Sequence, residues 1–379
     1  MFYKYKKEVF QCILHLQNIW YNFEMNNNNS TKTILIAPLN WGLGHATRCI
    51  PIIKALMENN FTPIIASDGV ALALLRKEFP DLKTLELPSY EIEYAKKGKN
   101  FKWKLIQNSF KTLKAIRTER KIVRSWIEQY QIDGILSDNR LGVFDKKVPS
   151  VYITHQLNVL TGNTTWITSK IHQYIFNKYK QCWVPDYEGT INLTGNLGHL
   201  EVLNPKIKYI GPISRLQKKL VPKKYDLLII LSGPEPQRGL LENYLKKEIL
   251  NYQGKAIFIE GNIAPQQTKV IKDNVTYFNF MNSVELENVF NESEIVLCRS
   301  GYTTIMDLAV LRKKAFFIPT PGQYEQEYLA KKLMKEGLVP YATQDNFKIS
   351  DLEMVHDYKG LPRSESRIEW ATLFEIFNP

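Results

Sequence analysis

Two consecutive stretches near the C-terminus decide the fold: Ile295-Val-Leu-Cys-Arg-Ser-Gly-Tyr-Thr-Thr-Ile-Met-Asp-Leu-Ala309 and Phe317-Ile-Pro-Thr-Pro-Gly-Gln-Tyr-Glu-Gln-Glu-Tyr328. The first begins with a short apolar run, which is typical of a buried parallel strand. A tight Arg-Ser-Gly turn follows, and the hydroxyl residues Thr303 and Thr304 predict the capped start of a helix. A second strand, predicted from Ala315 to Pro319, ends in a glycine-containing loop. The two stretches together therefore predict one βαβ unit.

This βαβ unit offers the groups that a nucleotide sugar requires. The free N–H groups and the positive dipole end of a helix bind phosphate, and Asp307, about one turn inside the helix, can reach a ribose hydroxyl. The following loop adds three polar side chains. Across the cleft-facing turns of this half of the chain, the predicted nucleotide-sugar-binding residues are Gly233, Arg299, Ser300, Gly301, Thr303, Thr304, Asp307, Gln323, Gln326 and Glu327.

The length and composition indicate a two-domain protein with anionic partners. A chain of 379 residues with 44% hydrophobic and 23% charged residues is large enough for two globular cores. The net charge of +12 favours nucleotides, anionic lipid or nucleic acid without choosing among them. The four cysteines are far apart in the sequence, which argues against a zinc site or a disulfide framework and favours the cytoplasm.

Strands and helices alternate along most of the chain. Residues 1–30 are predicted to be an appended extension that need not belong to the native protein. Two domains, 31–212 and 225–360, are predicted on either side of a lysine-rich linker at 213–224, and a helix is predicted within 361–379. Short apolar strands that alternate with helices predict an α/β protein with two Rossmann-like, doubly wound domains that face a cleft. The ten predicted strands are Thr33–Leu39, Pro63–Ser67, Gly134–Ser137, Val151–Thr154, Lys208–Gly211, Asp226–Leu231, Ala256–Ile259, Thr276–Phe280, Ile295–Leu297 and Phe316–Pro319.

A second motif follows the first strand, in Pro38-Leu-Asn-Trp-Gly-Leu-Gly-His-Ala-Thr-Arg48. Gly42 and Gly44 allow a sharp turn and a close approach of ligand. His45 then opens a helix at the cleft, and we favour a functional role for it over a capping role. For Arg48, a salt bridge that locks the loop and an anion contact are equally supported. We expect Gly42, Gly44 and Arg48, together with His155 further along the chain, to form an acceptor or phosphate loop.

Polar side chains also follow two other strands of the same predicted sheet. Asp138 ends one apolar strand and His155 follows the next along the chain. Each alone is more often structural than catalytic. Because the carboxyl ends of parallel strands meet at one edge of a sheet, together they predict a polar pocket near His45.

A basic segment from Lys96 to Arg124 interleaves lysines and arginines with Phe101, Trp103, Leu105 and Phe110. The favoured interpretation is an ordinary solvated helix face. Adsorption to an anionic membrane surface is the second interpretation. Nucleic acid ranks third and is not expected as a partner, since no recognised binding module surrounds the segment.

Over residues 33–340 the chain resembles the MurG-like, family 28-like glycosyltransferases, which have the GT-B fold and transfer sugars from UDP donors. Cys298-Arg-Ser-Gly301 matches the strand and turn of that group. Asp307 stands where the group has a ribose-binding Glu, and Gln326-Glu327 stands where it has a Gln-Gln pair that reads the donor sugar. The Pro-Gly-Gln-x-x-x-Glu loop is also similar to that of galactolipid synthases.

The resemblance implies an N-terminal acceptor domain, a C-terminal nucleotide-sugar domain and a terminal helix that returns to the N-terminal domain. It implies an inverting transfer from a UDP-sugar to an acceptor hydroxyl, as in glycolipid or surface-polysaccharide synthesis. His45, with Asp138, is the expected general base. No cofactor is expected beyond UDP-sugar as co-substrate, and no metal, because the sequence has no Asp-x-Asp motif. The alternatives are a nucleotide-sugar epimerase and a non-catalytic carbohydrate- or lipid-binding protein. The expected location is cytoplasmic, with peripheral contact to the inner face of the plasma membrane.

Overall fold

The computed structural model describes residues 31–90, 101–159, 165–202, 204–262, 264–362 and 368–378. Within these ranges, the side chains of 101–112, 165–168 and 171 are not described. The predicted extension 1–30 therefore lies outside the described residues, as do residues 96–100 of the basic segment and the side chains of 101–104.

The N-terminal half forms a sheet of seven strands that pair in parallel throughout. Its strands are β1 (Thr33–Pro38), β2 (Thr62–Ser67), β3 (Thr84–Glu86), β4 (Ile132–Asp138), β5 (Ser150–Ile153), β6 (Gln181–Val184) and β7 (Ile207–Tyr209). They lie in the order β3-β2-β1-β4-β5-β6-β7. The helices are α1 (Gly44–Glu58), α2 (Gly69–Glu78), α3 (Phe101–Gln129) and α4 (Thr165–Phe176).

The C-terminal half forms a second sheet, of six strands. These are β8 (Tyr225–Ile230), β9 (Ala256–Ile259), β10 (Lys269–Lys272), β11 (Val275–Phe278), β12 (Ser293–Cys298) and β13 (Lys314–Phe317), in the order β10-β11-β9-β8-β12-β13. Only the edge pair β10–β11 is antiparallel. The helices are α5 (Gln237–Glu248), α6 (Ser283–Glu292), α7 (Tyr302–Leu311), α8 (Tyr324–Lys335) and α9 (Trp370–Phe374). The predicted pair of Rossmann-like domains is confirmed.

In each sheet the strand order reverses at one point. In proteins of this architecture, ligands bind beside that point, at the carboxyl ends of the strands. In the N-terminal sheet the reversal lies between β1 and β4, and Pro38 pairs in register with Asp138 at the carboxyl ends of these strands. The core residues beneath, such as Ile36 and Leu136, are fully buried because helices cover both faces of the sheet. Consequently, the loop after β1 and the last residue of β4 are held side by side.

Sequence patterns missed three strands, β3, β6 and β10. Strand β3 has only three residues, and every residue of β10 is exposed, so neither of these two strands contains the buried apolar run by which a strand is recognised in a sequence. The prediction that Thr303 and Thr304 cap α7 is wrong. Gly301, with an extended backbone, is the N-cap residue, it has no side-chain cap, and the helix starts at Tyr302. Tyr302 is buried and therefore fixes the first turn by packing.

The C-terminal segment packs on the N-terminal sheet. Helix α9 and the 3-10 turn that follows it bury Phe374 and Phe377, whose rings lie edge-on to Phe61 with centroids 5.6 and 6.2 Å away. A side chain at Gly134 would clash with the Phe377 ring, since a Cβ there would lie 2.3 Å from Cδ1. The absence of a side chain at this position on β4 thus lets the end of the chain return to the first domain.

Candidate active site

A buried cluster of charged groups forms at the carboxyl ends of β1 and β4. Gly42 has a φ of +73°, which lets the chain turn from β1 into α1. His45 and Arg48 lie three residues apart on α1 and therefore point in one direction, toward Asp138. His45 Nδ1 lies 2.8 Å from Asp138 Oδ1. Arg48 donates Nε to Oδ2 of the same carboxylate at 2.5 Å and Nη2 to Oδ1.

The charges of this cluster leave His45 as a neutral base. Burial acts to raise the pKa of the Asp138 carboxyl, but the charges and hydrogen bonds of Arg48 and His45 hold it well below its usual range. Burial is the main reason why the pKa of His45 is lowered, and the Arg48 charge acts in the same direction. Arg48 Nη2 also lies 2.8 Å from His45 Nδ1, but it donates to Asp138 Oδ1. An ionised carboxylate cannot donate a hydrogen bond, so the Asp138 contact favours the tautomer with the proton on Nδ1. The lone pair is then on Nε2.

A chain of polar contacts links this cluster to the second domain through His155. Arg48 Nη1 lies 3.0 Å from His155 Nδ1, and His155 Nε2 lies 3.1 Å from Glu325 Oε1. The imidazole of His155 stacks on the Tyr302 ring, with 4.3 Å between centroids and 9° between planes. Because Tyr302 and Glu325 begin α7 and α8, His155 contacts both donor-side helices.

Sequence reasoning missed Glu325. It lies among the predicted loop residues, yet its carboxylate faces the other domain, where Gln156 Nε2 also donates to it. Burial opposes ionisation, but the neighbouring His155 and the more distant His45 and Arg48 lower the pKa of Glu325. The only sequence signal for Glu325 was an acidic residue in the first turn of a helix. Acidic residues are common at that position because they interact favourably with the positive end of the helix dipole. Its orientation toward His155 depends on how the two domains meet.

The N-terminal ends of α1 and α7 meet across the cleft. A Cβ on Gly44 would lie 2.7 Å from Thr303 Oγ1, so only glycine permits this approach. Neither Leu43 nor Gly301, the two N-cap residues, makes a side-chain cap. In α7 the first backbone bond is from Ile305 N to Gly301 O, at 3.0 Å. The two helix starts thus lie close together at Gly44 and Thr303, and the positive dipole end of a helix favours an anion.

Asp307 faces the segment between the domains. Ser214 donates to its Oδ1 at 2.5 Å, and Arg215 is close enough to influence its charge. Burial raises the pKa of the Asp307 carboxyl to about 6, against the opposing effects of Ser214 and Arg215. The side chain is half-buried.

The loop before α8 is internally bonded. Gln326 Oε1 accepts from Thr320 N at 2.8 Å, and its Nε2 donates to Gln323 Oε1 at 2.7 Å. Glu327 Oε1 accepts from Gly322 N at 2.8 Å. The loop is held near the end of β12 because Ser300 Oγ donates to the Gln326 carbonyl at 2.8 Å. The three predicted polar residues are thus brought together beside the start of α7.

Two predicted donor-site residues are placed less favourably for contact with a ligand. Arg299 is 1% exposed, and its guanidinium donates to the carbonyls of Ile318, Pro319 and Gln237 and to Gln344. Burial lowers the pKa of Arg299 to about 10. The hydrogen bonds of the Arg299 side chain therefore connect the end of β12 to the end of β13. Gly233, with a φ of +107°, lies in an exposed turn with open space around it.

No group of three or more His, Cys, Asp or Glu side chains is arranged to hold a metal ion within the described ranges. Likewise, none of the helices described is both long and apolar enough to span a bilayer.

Comparison with known proteins gives one family match and many relatives. Residues 233–359 match the glycosyltransferase family 28 C-terminal domain. The UDP-N-acetylglucosamine–N-acetylmuramyl-(pentapeptide) pyrophosphoryl-undecaprenol N-acetylglucosamine transferase of Buchnera aphidicola is 28% identical over 64% of this chain and 67% of its own. An uncharacterized glycosyltransferase of Methanosarcina acetivorans is 24% identical over 86% of this chain and 88% of its own.

Solved structures share the architecture at low sequence identity. The glycotransferase of kitacinnamycin superposes with a TM-score of 0.61 and 12% identity, over 86% of this chain and 89% of its own. MurG of Acinetobacter baumannii gives a TM-score of 0.52 and 13% identity over the same shares of the two chains, 86% and 89%. The predicted resemblance to MurG-like transferases is confirmed. Residues 233–359 match the glycosyltransferase family 28 C-terminal domain, and the chain as a whole is a glycosyltransferase with the GT-B fold.

Proposed function

We propose that the protein transfers a sugar from a UDP-sugar to an acceptor hydroxyl, with inversion and without a metal. The observation that carries the proposal is the position of the His45–Asp138 pair beside the meeting helix ends of α1 and α7. A base and an anion site that share one cleft are what displacement of a nucleoside diphosphate by a hydroxyl requires. The names of the relatives support the same chemistry.

In the proposed reaction, His45 Nε2 removes the acceptor proton while the hydroxyl oxygen attacks the anomeric carbon of the donor. The bond from that carbon to the diphosphate breaks, and UDP leaves with the electron pair. Attack from the face opposite the leaving group inverts the configuration. Asp138 holds the ring and stabilises the imidazolium, with Arg48 fixing the carboxylate.

In this proposal, preorganised hydrogen-bond donors, rather than a cation, stabilise the negative charge of the leaving diphosphate. The donors that we assign to this charge are the N–H groups of Tyr302, Thr303 and Thr304 at the start of α7 and those of Gly44 and His45 at the start of α1. In a site shielded from water, such fixed donors act without reorganisation. We assign the ribose to Asp307 and the donor sugar to Gln326 and Glu327.

The deciding experiment supplies a UDP-sugar panel together with a mixture of lipid-linked and free saccharide acceptors. The expected result is acceptor-dependent release of UDP and a product whose anomeric configuration, read by NMR, is opposite to that of the donor. Donor converted into an isomer without release of UDP would instead identify an epimerase. Binding of UDP with no turnover on any acceptor would identify a binding protein.

Two variants separate the nucleotide from the sugar. Asp307→Asn is expected to weaken UDP and UDP-sugar alike by about ten- to a hundred-fold, because both contain the ribose and a charged acceptor is lost. The affinity of the native protein for UDP should also fall as the pH drops below the Asp307 pKa of about 6. Gln326→Ala should weaken the UDP-sugar while UDP is nearly unaffected. Calorimetry with both ligands measures this, and the same pattern in both variants would refute the placement of the donor.

For location, we propose a peripheral, cytoplasmic protein that meets anionic lipid through its basic segment. The structure describes the backbone of this segment from residue 101 and its side chains from residue 113, so the proposal for Lys96 to Lys104 rests on sequence. Basic residues near such a surface contribute about 1 kcal/mol each. Binding to anionic vesicles at low salt is expected, with release at high salt. Replacing Lys97, Lys99, Lys102 and Lys104 by Glu should abolish binding without unfolding. Equal binding to neutral vesicles, or none to either kind, would contradict it.

A further inference from the structure

A groove lies on the N-terminal domain beside the site described above. It has a volume of about 540 Å³, within the range of ligand-binding cavities. One wall is α4, represented by Gln173, and the other is the segment that returns from the end of β6 to the start of β7. Asn158, Asn196 and Asn204 also line the groove.

The groove begins close to the base cluster. The loop after β5 places His155 against Arg48 and, three residues later, Asn158 in the groove. Three residues of extended chain span roughly 10 Å at most. On the other side, Asn196 N donates to the Tyr328 hydroxyl of α8 at 2.9 Å. A ligand in the groove can thus extend to the cleft between the domains.

The lining favours a neutral ligand with many hydroxyl groups. Four of the nine lining residues are amides, which both donate to and accept from hydroxyls. Asn158 and Gln173 are already oriented: Gln173 Nε2 donates to Asn158 Oδ1 at 3.2 Å, and Asn158 Nδ2 donates to the Asn196 carbonyl at 2.6 Å. Among the lining residues the structure describes, no lysine or arginine is present. A phosphate or an anionic lipid headgroup would therefore find no positive partner.

His199 gives the groove a rigid side. Its ring stacks on Tyr209 with 4.5 Å between centroids and 9° between planes, and its Nε2 lies 3.3 Å from the buried Asp186 carboxylate. Glu201 beside it is exposed and adds a carboxylate that accepts from hydroxyls. The lining also contains Leu200, Val202 and Pro205, but its amides, its imidazole and its one carboxylate supply the donors and acceptors that sugar hydroxyls require.

We infer that this groove binds a neutral saccharide portion of the acceptor, so that the acceptor is a glycan at least two sugars long. The first sugar presents its hydroxyl to His45, and the next lies along Asn158, Gln173 and Asn196. This assignment rests on the proposed transferase function.

The test uses a printed array of neutral and anionic glycans, probed with labelled protein in the presence of UDP. The native protein is expected to bind a set of neutral glycans. Asn196, whose exposed side chain lines the groove, is the residue to change. Asn196→Ala should weaken binding about two- to tenfold through loss of one amide, and Asn196→Trp should abolish it by filling the groove. Ile191→Trp is the matched control, since Ile191 is 72% exposed on the same segment outside the groove.

Calorimetry with UDP keeps this inference separate from the proposed function. Binding of UDP with no glycan bound, glycan binding that survives Asn196→Trp, or selection of anionic glycans would overturn the groove assignment alone. Failure of the native protein to bind UDP would count against the proposed function instead.

Discussion

Replacing His45 with alanine is expected to lower turnover about 10²- to 10⁴-fold while UDP affinity stays unchanged, because a positioned general base contributes that much to a rate. The ring is only slightly exposed, at 11%, and touches the Asp138 carboxylate through Nδ1. It makes no contact that the donor nucleotide needs. Single-turnover rates with saturating UDP-sugar, alongside calorimetry with UDP, measure both quantities. His356→Ala is the matched control, since His356 is exposed in the second domain.

The dependence of the rate on pH provides an independent check of His45. Because burial and Arg48 lower the pKa of His45, the base is neutral at pH 7, and the rate should fall only on the acid side as the ring becomes protonated. The His45→Ala variant should lose this acid limb. A rate that is undiminished in the variant, or an acid limb that persists in its residual activity, would remove His45 from the mechanism.

Asp138→Asn is expected to lower both turnover and stability. An amide in this place no longer balances the Arg48 guanidinium, and an unpaired buried charge typically costs about 3–5 kcal/mol of unfolding free energy. Turnover falls as well, because an amide does not enforce the Nδ1–H tautomer of His45. Denaturant unfolding and single-turnover rates test the two effects. Asp81→Asn, an exposed acid-to-amide change in the same domain, is the control.

The double variant Arg48→Met with Asp138→Asn separates the two consequences. Removing the cation as well should recover part of the lost stability, because no unpaired charge remains buried. Turnover should remain low, since the group that orients His45 is still missing. Recovery of turnover together with stability would mean that Asp138 only supports the fold. If the single and double variants are equally stable, the Arg48–Asp138 contact does not account for the stability that Asp138 contributes.

The sequence alone determined the architecture. Apolar runs such as Ile295–Leu297 and Ala256–Ile259 have no polar alternation, which is the signature of strands buried on both faces, and their alternation with helices leaves few topologies open. The position of His45 and Asp138 at one sheet edge followed from the same rule, because polar residues directly after parallel strands meet at the carboxyl edge. Both inferences depend on the order of apolar and polar residues within short segments, and this order can be read from a single sequence.

Only the tertiary structure decided which polar side chains face one another. Arg299 and Glu325 carry similar sequence signals, a charged residue beside a predicted turn. Packing directs Arg299 inward to backbone carbonyls and directs Glu325 outward to His155 of the other domain. The start of α7 was likewise fixed by the burial of Tyr302 rather than by a capping hydroxyl. Side-chain direction depends on contacts between residues far apart in the chain, and one sequence does not encode those contacts in any local pattern.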